Sequence, residues 1–132
     1  MKNWTTLPHE KLIAYQAARQ LLSLVREARI PNPRIREQAL NAASSACLNI
    51  AEATGRSGSA DQKRVYAIAR GEVCEAAAAL DIAALGGGCA ADVADAGAAC
   101  ARRVYALLSG LIRQPRPTKT KTKTINEYEK PK

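Results

Sequence analysis

The sequence predicts an all-α protein, folded as an antiparallel up-down-up-down four-helix bundle, on three observations. Apolar residues recur at 3.6-residue spacing through four stretches, as they do along one face of a helix. The six prolines, Pro8, Pro31, Pro33, Pro115, Pro117 and Pro131, leave long uninterrupted segments between them. Those segments, roughly 21 to 25 residues each, are joined by short connections, which favour neighbours of opposite direction. Alanine and leucine dominate, with one Trp, four Tyr and no Phe. Alanine lets helices approach closely but fills little volume, so a thin core or self-association is expected.

The first helix is expected over residues 8–29, with Pro8 in its first turn, where a missing N–H costs nothing. Trp4 and Leu7 are expected to fold back onto it. Its inward set is Ala14, Ala18, Leu21, Leu22, Val25 and Ala28. Asn32 then caps a second helix that has Pro33 at its first position and runs to about Thr54. Ile35, Ala39, Ala42, Ala43, Ala46, Ile50 and Ala53 form its buried face, and Gly55 is expected to end it at positive φ. Ser59 or Asp61 is expected to cap the third helix, which ends near Leu85 with Val65, Ile68, Ala69, Ala76, Ala79, Leu80 and Ala83 inward. Gly86, Gly87 and Gly88 cannot sustain a helix, and with no strand before them and no Gly-Lys-Ser/Thr after them they read as a turn. The fourth helix is expected from about Ala91 to Gln114, with Val93, Gly97, Cys100, Val104, Leu107, Leu108 and Leu111 inward. Residues 1–114 are thus expected to form the bundle. Residues 115–132, in which Thr118 to Thr124 alternates threonine with lysine, have no apolar side to bury and are expected to be a disordered basic tail.

Twenty Lys and Arg against twelve Asp and Glu give a net charge of +8. Residues 115–132 carry six basic and two acidic side chains, half of that excess. A basic balance of this size suits phosphate backbones and also aids solubility. The bundle's own candidates are Arg19 and Arg26 on the first helix, Lys63 and Arg70 on the third, and Arg102 and Arg113 on the fourth. Spacings of seven and eleven residues return to nearly the same helix face. Lys119, Lys121 and Lys123 extend the set into the tail.

Cys47, Cys74, Cys89 and Cys100 contain no C-x-x-C pair and His9 is the single histidine, so zinc lacks its usual ligand spacing. The carboxylates Glu52, Glu72 and Glu75 cannot form the di-metal site of helical bundles, which needs paired Glu-x-x-His repeats. No metal or other cofactor is expected, and no nucleophile motif with a general base points to an enzyme. Tyr66 and Tyr105 read as residues lining helix contacts. With no apolar h-region after Met1 and no run of eighteen apolar residues, a cytoplasmic protein with no membrane association is expected, its cysteines serving as small core residues.

A recognisable pattern lies on the second helix: Gln38, Ala42, Ala43, Ser45, then Asn49-Ile50-Ala51-Glu52, with Gly55 and Arg56 closing it. Asn49 and Glu52, three apart, share a face and read first as hydrogen-bonding residues at the rim of an apolar stripe. On the third helix Ile68, Ala69, Gly71 and Glu75 continue the pattern. Over residues 7–113 the chain resembles the proteins encoded by intervening sequences of bacterial large-subunit ribosomal RNA genes. It departs from their pattern at Leu40-Asn41, usually an Arg-Arg pair, at Cys47 for proline, at Ala53 for glycine and at Glu72 for serine. The loss of the two arginines removes the basis for a basic surface at that place. The resemblance implies a left-handed four-helix bundle commonly assembled as a ring of five. It also implies kinship with accessory subunits of diversity-generating retroelements, in which a basic pentamer binds the reverse transcriptase and nucleic acid.

Two functions follow as expectations. One is a non-enzymatic homo-oligomer, pentameric by resemblance, that binds RNA or DNA through phosphates and serves as adapter of a reverse transcriptase. The other is a protein-interaction scaffold whose basic surface only maintains solubility.

Overall fold

A computed structural model describes residues 5–115. Among these the chain is all-helical: α1 (Ile13–Glu27), α2 (Pro33–Thr54), α3 (Ser59–Leu85) and α4 (Ala91–Arg113). The basic segment expected to be disordered, with Lys119, Lys121 and Lys123, lies outside the described residues, as does Trp4. The helices pack in a cycle, α1 against α2 and α4, and α3 against α2 and α4, with only slight contact between α1 and α3. No described helix is long and apolar enough to cross a membrane.

The start of α2 follows its local chemistry. The Asn32 side chain accepts from the N–H groups of Arg34 and Ile35 at 3.0 and 3.1 Å, and Pro33 opens the helix. This satisfies two of the donors a helix start leaves free. The Arg36 guanidinium also donates to the Ile30 carbonyl at 3.0 Å, fastening the connection from α1.

The other helix ends differ from expectation. α1 begins five residues late, because Pro8 lies in a turn closed by Glu10 N–H on Leu7 O and Leu12 N–H on His9 O. Leu12, extended at φ −75° and ψ 124°, then caps the helix without a side-chain bond. Leu7, expected to pack back, is exposed. Gly55 lies at φ −82°, so the reason for expecting backbone strain on substituting it is removed. The left-handed residues are Arg29 at φ 48°, just beyond α1, and Gly87 at φ 75°, within the three-glycine turn. Neither Ser59 nor Asp61 caps α3; Gly58 holds that position with no side-chain bond, and Asp61 is drawn instead to two arginines.

The core is a small-residue seam studded with a few larger side chains. Ala39, Ala43, Ala46, Ala53, Ala69 and Ala76 are fully buried, with Leu21, Ile30, Ile50, Val73, Leu80, Val104 and Leu108 filling the volume between them. On α3 the periodicity missed Tyr66 and Val73, which are buried, and placed Ile68 inward, which is exposed; Ala17 on α1 and Ala94, Ala101 and Ser109 on α4 are buried beyond the expected sets. Tyr66 is accommodated because its hydroxyl meets the Thr54 hydroxyl at 2.8 Å, while Thr54 donates to the Ile50 carbonyl at 2.7 Å. One place is packed to the limit. A Cβ on Gly97 of α4 would lie 2.3 Å from Leu80 Cδ1 of α3, so the tip of the Leu80 side chain fills the space that any larger residue at 97 would need.

Candidate nucleic-acid interface

Polar ties between helices account for the motif on α2 and α3. Gln38 donates to Glu75 at 2.9 Å, and Asn49 donates to Glu72 at 2.8 Å. Glu52 pairs instead with Arg56, one turn further along. Asn49 and Glu52 are hydrogen-bonding residues as expected, but they and Glu75 take part in separate contacts along the helix pair. Glu72, which stands where the resemblance expects serine, is Asn49's partner. Gly71 is exposed, and an added Cβ there would meet open space, so no packing contact requires a glycine.

At the α2–α3 turn Arg56 bridges Glu52 and Asp61, and Arg64 reaches Asp61 at 3.0 Å. Gln62 donates to the Arg56 carbonyl at 2.8 Å and closes the loop. Hydrogen bonds from Arg56, then from Arg64, hold the Asp61 carboxyl below the usual carboxylate value of 3.8. A carboxylate depressed in the folded state contributes stability above its unfolded pKa and loses it as pH falls through the folded one. Asp61→Asn should therefore lower the melting temperature at pH 6, and the gap from the parent should close as the pH is taken below about 4. Thermal unfolding at pH 6 and pH 3 checks this; a gap unchanged between the two would show that Asp61's charge is not what ties the turn.

The six bundle cations of the candidate set fall into two groups. Arg19, Arg26, Arg102 and Arg113 are exposed. None has a carboxylate within salt-bridge distance among the described residues, whose ion pairs gather at the α2–α3 turn. Lys63 and Arg70 are half-buried and engaged within the fold. Lys63 donates to the Gln114 carbonyl at the end of α4, and Arg70 donates to Ser109 Oγ of α4 at 2.9 Å. The Arg70 guanidinium also lies 5.2 Å from the centre of the Tyr105 ring.

These contacts also fix which cations can act together. Arg19 bears electrostatically on the Cys47 thiol of α2, which places it on the α1–α2 side. Lys63 and Arg70 lie on the α3–α4 side. Arg102, Ser109 and Arg113 are spaced by seven and four residues, one stripe of α4, and Ser109 faces Arg70. Arg70, Arg102 and Arg113 thus share a side of the molecule that Arg19 does not. Tyr105 lines a helix contact as expected, against Arg70 of α3, yet 43% of it remains exposed, which sequence spacing did not show.

The Cys47 and Cys100 thiols are not activated. Burial pushes the Cys47 and Cys100 thiols up, with nearby arginines only partly opposing it, and Cys100 donates weakly to the Ala17 carbonyl at 3.4 Å. Such thiols carry little thiolate and are poor nucleophiles. Cys74, expected in the core, is exposed. Among the described residues no three His, Cys, Asp or Glu side chains come together as a metal site would require.

Four helices around a small-residue seam, held by polar ties between α2 and α3, define a small all-helical protein. Residues 10–110 match the family described as 23S rRNA-intervening sequence protein, and the chain belongs to that family. A search of curated proteins finds no match for it.

Proposed function

We propose that this protein is a non-enzymatic, cytoplasmic homo-oligomer, a pentamer, that binds RNA or DNA through phosphate contacts and acts as adapter of a reverse transcriptase. The observation that carries the nucleic-acid reading is the set of exposed arginines, Arg19, Arg26, Arg102 and Arg113, left without carboxylate partners among the described residues. Cations already spent on internal ion pairs gain little from a phosphate, whereas unpaired ones release its counterions directly. An up-down-up-down arrangement underlies this reading. It is supported by pairs that run in opposite sequence order, Gln38 with Glu75 and Thr54 with Tyr66 between α2 and α3, and Lys63 with Gln114 and Arg70 with Ser109 between α3 and α4. The family description, which names an intervening sequence of a ribosomal RNA gene, accords with a nucleic-acid setting.

Single phosphate patches give non-specific dissociation constants of about 10⁻⁴ to 10⁻⁶ M, and repetition around an oligomer raises affinity through effective concentration. The test is a titration of labelled RNA and DNA at about 50 and 200 mM salt, with the oligomer's mass measured by sedimentation. Binding should fall steeply with salt and discriminate little between sequences. Gln at Arg19, Arg26, Arg102 and Arg113 should weaken it and flatten the salt slope without altering the melting temperature. Removal of residues 115–132 should do the same. No binding by the intact protein at the lower salt would leave the protein-interaction scaffold as the function.

A further inference from the structure

We infer that Tyr105 is a base-stacking platform, and that the α3–α4 side therefore takes single-stranded nucleic acid in preference to duplex. This rests on the nucleic-acid reading above and names the form of the ligand. The two α3–α4 tyrosines differ: Tyr66 is buried with its hydroxyl on Thr54. Tyr105 is instead 43% exposed, with the Arg70 guanidinium 5.2 Å from its ring centre. Arg70 is itself hydrogen-bonded to the buried Ser109, which keeps the guanidinium beside the ring. A base stacked on this ring would join an existing cation–π pair and would lose little side-chain freedom in doing so.

The charges around it have the required layout. Arg102 and Arg113 lie on the stripe of α4 that Ser109 shares, eleven residues apart, or about 16 Å along the axis at the helical rise of 1.5 Å per residue. Tyr105 lies between them along the axis, about 60° round the helix from Arg102 and about 80° from Arg113, towards Arg70, so a backbone following the two arginines would run beside the ring. The same stripes turn acidic towards the three-glycine turn, at Asp81 on α3 and Asp95 on α4 by spacing. The positive region is therefore confined to the half of the surface that holds the ring. Phosphate contacts alone serve single and double strands alike, but only an unpaired base offers its π-face to a side chain. A duplex gains nothing from Tyr105.

The experiment titrates the intact protein with a labelled 20-nucleotide single strand, as RNA and as DNA, and with the duplex of the same sequence. Single strands should bind more tightly than duplex, and Tyr105→Leu should weaken single-strand binding about tenfold while leaving duplex binding and the salt slope unchanged. Tyr105→Phe, which keeps the ring, should restore it. Melting temperatures of both variants show that the fold is kept. Equal binding of single strand and duplex by the parent, or equal losses on both with Tyr105→Leu, would overturn the stacking role while leaving phosphate binding in place. Binding of neither form by the parent would overturn both readings.

Discussion

Leu80→Ala is expected to lower the unfolding free energy by about 3 to 5 kcal/mol, the range for a fully buried leucine whose site cannot collapse. Leu80 has no exposed surface, and across the interface it meets Gly97, which has no side chain to swing into the space. The reverse substitution probes the same contact from the other side. Gly97→Ala gains about 1 kcal/mol of helix propensity, yet its methyl would sit 2.3 Å from Leu80 Cδ1. Displacing a side chain from a filled core costs about 1 to 3 kcal/mol, so the net effect should be destabilising. The double variant should recover part of both losses, because the new methyl enters the space the leucine vacates. Urea unfolding at one fixed protein concentration measures the cycle. Additive losses, or a Gly97→Ala variant more stable than the parent, would show that α3 and α4 are not locked at this point.

Arg70→Met should destabilise by about 1 to 3 kcal/mol, although arginine at a half-buried helix position looks dispensable. The methionine keeps the apolar stem but removes the donor that satisfies Ser109 Oγ, one of the few buried polar groups in the core. It also removes the guanidinium beside Tyr105. Leaving a buried acceptor unpaired costs more than the hydrogen bond was worth, so Ser109→Ala in the same chain should restore part of the loss. A melting temperature unchanged by Arg70→Met would return Arg70 to the pool of free surface cations. Arg102 and Arg113, exposed and unpaired, should give changes within about 0.5 kcal/mol when replaced by Gln.

The same residues separate what local pattern determines from what packing decides. The sequence by itself determined four helices and most of their limits. Asn32-Pro33 and the three-glycine turn act through backbone hydrogen bonds and dihedral preferences that need no distant partner. The inward alanines of α2 were legible for the same reason, since a helix places every third or fourth residue on one side. The start of α1 was not, because Pro8 suits a tight turn as well as a first helical turn, and the choice fell to the bonds of Leu7, His9 and Leu12. Only the tertiary structure decided which helix each polar residue would meet. Periodicity gives the side of a residue's own helix but not the rotation of the neighbour. Asn49 therefore reached Glu72, Lys63 and Arg70 became ties to α4, and Ile68 turned outward while Tyr66 turned in. Along the same α3–α4 contact Gly97 admits Leu80, Arg70 meets Ser109, and the Tyr105 ring stays partly open to solvent, none of which the spacing along either helix alone determines.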